Sequence, residues 1–172
     1  MRVICISGHA GAGKDTVGKV IKDKMEEQGY SVLVTHNADL LKYLCTALFE
    51  WDGKKDEAGR SLLQYVGTDV VRKEQPDFWV NFLIQVFDLF GDNWDCAIIP
   101  DCRFPNEVER LKEAGYVVKH IRVEREYESG LTDEQRSHPS ETAMDAVIPD
   151  YTIYNNGTID DLYNCIDIVV SP

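Results

Sequence analysis

The 172-residue sequence predicts an α/β fold with a parallel sheet, on three observations. Short β-rich apolar runs alternate with longer segments of helical period; the first run is apolar at almost every position, as in a strand buried on both faces; and a glycine-rich turn joins that run directly to a helix. No internal repeat, low-complexity tract or Pro/Ser-rich linker divides the chain, so residues 1–172 read as one domain.

Val3–Ser7 (VICIS) is the first strand. From Lys14 the apolar period becomes helical, with Val17, Val20, Ile21 and Met25 on one stripe and Gly29 placed to end it. Ser31–Thr35 is the second strand. Leu40–Phe49 reads as a helix, Trp51–Gly59 as an exposed loop, and Ser61–Lys73 and Pro76–Phe90 as further helices, the last with Pro76 at its first position. After Asp77 its only polar residues are Asn81, Gln85 and Asp88, so it is expected to be buried nearly all round, in the core or alternatively at the interface of a homodimer. Asp95–Ile99 is the third strand, Pro105–Ala114 a helix closed by Gly115, and Tyr116–Val123 the fourth strand. Glu124–Ser140 is charged, with Tyr127 and Leu131 its only bulky apolar residues, and reads as exposed and mobile. Tyr151–Tyr154 is the last strand; Thr158 caps a final helix to Ile168, with Asp160 and Asp161 in its first turn.

Charge narrows the function. Lys and Arg number 18 against 30 Asp and Glu, a net charge of −12. So acidic a surface repels nucleic-acid polymers and anionic membranes. Any phosphate handled here must be met by a few clustered cations. Five cysteines (Cys5, Cys45, Cys96, Cys102, Cys165), an odd number without a C-x-x-C pair, read as reduced thiols, and no run is long and apolar enough to span a membrane. A cytoplasmic protein is expected.

The chemistry resides in Gly8-His9-Ala10-Gly11-Ala12-Gly13-Lys14-Asp15-Thr16, which matches G-x-x-x-x-G-K between a strand and a helix. Glycines let successive backbone N–H groups curl round a phosphate, the helix N-terminus adds partial positive charge, and the lysine reaches the β- and γ-phosphates. This is a P-loop. Asp15 departs from the usual Ser or Thr; an ionised carboxylate repels phosphate, so it is expected to face away or to hold a Mg²⁺-bound water, with the Thr16 hydroxyl on the α-phosphate. A second acid for the metal's water shell belongs at the carboxyl end of another strand, and Asp101 fits, with Pro100 marking where pairing stops. An N-cap for the Pro105 helix or a surface turn is the alternative role for Asp101. Arg60, Arg72, Arg103, Arg122, Arg125 and Arg136 lie mostly at element ends or in the charged segment; singly, each could equally be a solvated surface charge. None of His9, His36, His120 and His138 has a partner at recognisable spacing, and no general base stands out. None is required if the acceptor is a phosphate, already mostly ionised at pH 7.

GHAGAGKDT, RSLLQYVGTDVVR, PDFWV, DCRFPNE, HPSE and NNGTIDDL, taken in order, resemble the phage-type deoxynucleoside monophosphate kinases. The likeness runs over nearly the whole chain. It implies a three-layer P-loop NTPase fold of the adenylate-kinase kind: a five-stranded parallel sheet, a helical acceptor-binding insert at about 37–90 and a lid at about 124–140. It further implies ATP and Mg²⁺ as cofactors and small nucleotides as partners. Gly8, Ala10, Gly11, Ala12, Gly13, Lys14, Asp15 and Thr16 would bind the ATP phosphates, with Asn155 and Gly157 flanking adenine and Asp15 and Asp101 holding the metal through water. Asp39, Lys42, Arg60 and Arg72 would line the acceptor. Arg103 would face the transferring phosphates, and Arg125 and Arg136 would close on the γ-phosphate. Leu40, where the family often has proline, is a departure. Dephospho-coenzyme A and phosphomevalonate kinases share parts of the pattern, and a non-catalytic nucleotide-binding protein is a further alternative. A GTPase is disfavoured, since no N-K-x-D occurs.

Overall fold

A computed structural model describes residues 1–127 and 130–170. Five strands, β1 (Arg2–Ser7), β2 (Val32–Val34), β3 (Cys96–Ile99), β4 (Val117–Glu124) and β5 (Tyr151–Tyr154), form one sheet in the order β2-β3-β1-β4-β5. Every pairing is parallel. The continuous apolar character of β1 follows from its central place, because both of its faces are covered. Ile4 and Ile6 pack against Val17, Val20 and Ile21 of α1 (Lys14–Glu27) and Leu162 and Ile166 of α8 (Ile159–Val170). On the other face, Val3 and Cys5 meet Val80, Leu83 and Phe87 of α4 (Phe78–Phe90) and Val108 and Leu111 of α5 (Pro105–Glu113). Burying each such side chain contributes roughly 1.5–3 kcal/mol, so the two faces together hold the strand ends in fixed positions.

Between β2 and β3 the chain builds a helical unit of α2 (Ala38–Phe49), α3 (Glu57–Gln64), a π-helical turn (Tyr65–Arg72) and α4. Its own small core is Leu41, Cys45, Val66 and Trp79. The helix expected from Ser61 starts earlier, because the Asp56 side chain accepts the Gly59 N–H at 2.9 Å and caps α3. It also changes pitch at Tyr65 rather than running on as an α-helix. Pro76 is not the first residue of α4: it lies in a turn closed by Phe78 N–H on the Gln75 carbonyl, and the helix begins at Phe78. Nor is α4 buried all round; Trp79, Val80, Leu83 and Phe87 face inward while Phe82, Leu89 and Phe90 are exposed.

Beyond β4 come two short helices, α6 (Asp133–Ser137) and α7 (Pro139–Thr142). As expected, most described residues of 124–140 are exposed, Glu128 and Ser129 lying outside the described residues, but one side chain turns inward. Gln135 is buried, and its Nε2 donates to Glu57 O at 3.0 Å and Ser61 Oγ at 3.2 Å, seating α6 on α3. At α8 the predicted cap is present: Thr158 Oγ1 accepts from Asp161 N–H while Asp161 Oδ2 accepts from Thr158 N–H. Four of the free cysteines are buried and Cys165 is exposed.

Candidate active site

The strand ends position the site, and the first part of it is main chain. Leaving β1, the chain must pass β4 closely: a Cβ on Gly8, at φ +142°, would sit 2.4 Å from the Val123 carbonyl oxygen. Gly13, at φ +93°, opens α1 without a side-chain cap, leaving the first-turn amides to an incoming anion. Asn155 at the end of β5 braces this turn, its Nδ2 donating to Ala12 O at 2.9 Å. Lys14 is 8% exposed and folds over the loop, its Nζ donating to Gly8 O at 2.8 Å and His9 O at 2.9 Å. Burial, and then the nearby Arg103 guanidinium, lower its pKa to about 7.

From Lys14 a cavity of about 300 Å³ extends over the ends of β1 and β3 into the helical unit. Six cations line it, Lys14, Lys42, Lys55, Arg60, Arg72 and Arg103, against four carboxylates, Asp15, Asp101, Glu107 and Glu141. The cleft is thus positive in an acidic protein. Its far end is apolar, formed by Leu41, Leu63, Trp79 and Phe104 with Gln64 and Thr68 among them. Trp79 is fixed there by its Nε1–H on the Gly67 carbonyl of the π-helical turn, at 3.0 Å.

Arg72 and Arg103 are held differently from surface charges. Arg72 pairs with Glu107, donates to Pro76 O at 3.1 Å and stacks 4.1 Å above the Phe104 ring. Glu107 is wholly buried; burial pushes its pKa up and Arg72 pulls it back. Its other oxygen accepts the backbone N–H of Arg103 at 2.7 Å and, more weakly, of Phe104 at 3.3 Å, the arrangement that starts α5. Arg103 Nη1 donates to Glu141 Oε1 at 2.7 Å and to Ser140 O at 3.2 Å.

Asp101 accepts two backbone N–H groups, Asn37 at 2.9 Å on Oδ1 and Ala38 at 3.0 Å on Oδ2. It therefore caps α2 across the gap from β3 while also lining the cleft. Asp15 points out of the P-loop to His36 Nε2 at 3.0 Å; that bond lowers the Asp15 pKa and raises that of His36. Asp39 does not line the cavity; it accepts from Lys42 Nζ at 3.0 Å and His36 N at 2.9 Å. Arg60, its Nε on Lys55 O at 2.9 Å, does line the cavity.

Other predicted residues stand apart. Thr16 is exposed, and the amide of Asn155 is taken up by the loop while Gly157 lies on an exposed turn. Arg125 is exposed beside the Tyr127 ring, 6.0 Å from its centroid. Arg136, more than half exposed, donates to Leu131 O and pairs with Asp133. Neither arginine lines the cavity. Arg122 is likewise not among its lining residues and is paired with Glu124 and Asp145. Several lining residues had no role in the sequence reading. Lys55 carries no motif, although it sits just before the Asp56 cap; Glu107 and Glu141 lie inside quoted motifs without an assigned role. Asn37 is buried with both side-chain amide atoms unpartnered, and nothing in its sequence context marks it.

A five-stranded parallel sheet with this loop after β1 defines a P-loop kinase-like fold. An APS kinase of Mycobacterium tuberculosis in complex with AMPPNP and APS superposes with a TM-score of 0.54 at 15% identity, covering 99% of this chain and 98% of that one. A shikimate kinase of Aquifex aeolicus gives 0.53 at 12% identity, with 98% and 95% covered. Residues 49–166 match the family model for deoxynucleotide monophosphate kinase, and the chain belongs to that family. A chain of Acanthamoeba polyphaga mimivirus, named provisionally for the same activity, is 29% identical over 97% of both proteins. The Escherichia phage T5 deoxynucleoside-5′-monophosphate kinase is 30% identical over 66% of this chain and 47% of its own. The chain thus spans nearly all of the mimivirus relative and about half of the phage one.

Proposed function

We propose that the protein transfers the γ-phosphoryl group of ATP to a deoxynucleoside 5′-monophosphate, giving ADP and the diphosphate. One observation carries this reading: a single cleft leads from the P-loop lysine, past two braced arginines, to an aromatic pocket. That sequence of groups suits two phosphates meeting and a base lying beyond them. Phosphoryl transfer needs alignment and charge neutralisation more than covalent help. The P-loop amides and Lys14 would hold the β- and γ-phosphates. Arg103, at the junction, would neutralise charge on the group in flight, and Arg72, Arg60 and Lys42 would hold the acceptor, with Trp79 and Phe104 flanking its base. The acceptor phosphate attacks as an anion, so no side chain need remove a proton.

Among the described residues no three His, Cys, Asp or Glu side chains converge to grip a metal directly. Mg²⁺ would be held through water by Asp101 and Asp15, the latter after release from His36, and would supply neutralisation of phosphate charge. In this reading residues 1–172 act as one domain, the insert (37–90) binds the acceptor and the lid (124–140) excludes water. Arg125 and Arg136 would reach phosphate only as that lid moves, and Asn155 and Gly157 would flank the adenine from behind the loop.

The test is an assay with ATP and Mg²⁺ against dGMP, dTMP, dCMP, dAMP and the ribonucleotides, read as ADP plus diphosphate. At least one deoxynucleotide should be phosphorylated, and Lys14→Ala should lower turnover by roughly 10³-fold with an unchanged circular dichroism spectrum. If ATP binds and no nucleotide is phosphorylated, the nucleotide-kinase reading fails and the binding-protein reading gains.

A further inference from the structure

Glu141 occupies a place that neither the P-loop nor the acceptor pocket accounts for. It lies in α7, and its side chain is only 6% exposed. Its two oxygens serve two different parts of the site: Oε2 accepts the Ala10 N–H of the P-loop at 2.9 Å, and Oε1 accepts Arg103 Nη1 at 2.7 Å. The preceding carbonyl, Ser140 O, takes a second bond from the same arginine nitrogen at 3.2 Å. Nε and Nη2 of Arg103 keep no protein partner among the described residues.

We infer that Glu141 is a positioning residue for phosphoryl transfer, fixing Arg103 relative to the P-loop and remaining in place when nucleotide binds. This rests on the kinase reading above. One carboxylate bridging both groups sets the spacing between the donor phosphate site and the arginine at the junction. The segment that carries it is itself anchored. His138 Nδ1 accepts Ser140 N–H at 3.2 Å and so caps α7, and Gln64 Nε2 donates to Ser140 Oγ at 3.4 Å and Gln135 O at 3.3 Å. Withdrawing the segment would break these bonds, and withdrawing the carboxylate alone would leave a charge without partners in a buried place. The carboxylate also offsets the repulsion between Lys14 and Arg103, since Arg103 lowers the lysine's pKa and Glu141 raises it.

A rival role is possible for any carboxylate on a P-loop amide: a stand-in for phosphate, expelled by ATP. Kinetics of Glu141→Gln, Arg103→Ala and the double variant separate the two. Positioning predicts that Glu141→Gln lowers kcat on the order of 10²-fold, leaves the KM for ATP within about threefold, and adds little in the Arg103→Ala background. Should Glu141→Gln fail to fold, Glu141→Asp, one methylene too short to reach both partners, is read in the same way. An unchanged kcat, a lower KM for ATP, or full additivity with Arg103→Ala would overturn the inference. A crystal structure with a non-hydrolysable ATP analogue decides it without turnover: Oε2 still on Ala10 N–H supports it, and a phosphate oxygen in that place refutes it. If the wild-type protein phosphorylates nothing, the kinase reading falls, and that crystal structure alone still tests whether the bridge persists.

Discussion

On the donor side of the cleft the groups that would meet phosphate are main-chain amides, set by Gly8 and Gly13; on the acceptor side they are guanidinium groups, set by the buried carboxylates Glu107 and Glu141. Main chain in a strand-loop-helix unit is placed by backbone conformation alone. A guanidinium at the end of a flexible stem must be placed by something else, and here each of Arg72 and Arg103 has a carboxylate of its own. The two halves should therefore fail in different ways. Damage to the donor half comes from adding atoms, and damage to the acceptor half from removing a partner.

Arg72→Ala is the strongest way to break this contrast. It strands Glu107, which is 0% exposed, and breaking a buried pair by removing one partner costs about 3–5 kcal/mol. Urea unfolding at pH 7 should give that loss, and Arg72→Ala/Glu107→Gln should recover much of it. The sign with pH follows from burial, which raises the Glu107 pKa while Arg72 opposes it. A protonated carboxyl needs no counter-charge, so the deficit of Arg72→Ala should be full above that pKa and shrink as pH falls through it. A loss below about 1 kcal/mol at pH 7 would place Arg72 among ordinary surface charges.

Gly8→Ala probes the other half with a smaller effect. Its φ of +142° is a conformation that side chains rarely adopt, and the added Cβ meets a backbone oxygen that cannot swing away. Strain of this kind costs about 1–3 kcal/mol, read by the same urea titration. A neutral result would mean that the β1 exit relaxes and that its geometry is not imposed by β4.

The same contrast explains which parts could be read from the sequence. The donor loop lies within nine consecutive residues, so glycine spacing, the strand before it and the helix after it all appear in one window. Five strands and most helices were readable for the same local reason. The braces were not, because Ala10 and Glu141 are 131 positions apart and Arg72 and Glu107 are 35 apart. Nothing in a run such as HPSE says which oxygen will meet which amide. The outer face of α4 misled for a different reason: Phe82, Leu89 and Phe90 have the composition of core residues, and composition does not report which side is covered. In residues 124–140, the charged neighbours Asp133, Glu134 and Arg136 concealed that Gln135 turns inward to α3.

In the proposed reading Lys14 is a donor-side side chain that meets phosphate, and its protonation gives the smallest and most specific test. Burial first, and Arg103 second, bring Lys14 to a pKa of about 7. Bound phosphate favours the charged ammonium and would raise that value. Well below pH 7 the lysine is already charged in the free protein, so binding draws no proton through it. Above pH 7 the free lysine is increasingly neutral while the bound one is charged, so ATP binding should take up about half a proton at pH 7 and approach one by pH 8. Apparent affinity should correspondingly fall as pH rises, towards a limit of about tenfold per unit. Titration calorimetry in buffers of different ionisation enthalpy measures the uptake, and the difference from Lys14→Met separates the lysine from the ionisation of the phosphates themselves. Equal uptake in the two proteins would mean that Lys14 stays charged in the free cleft, so that Glu141 and the P-loop carbonyls compensate its burial more fully than the geometry implies.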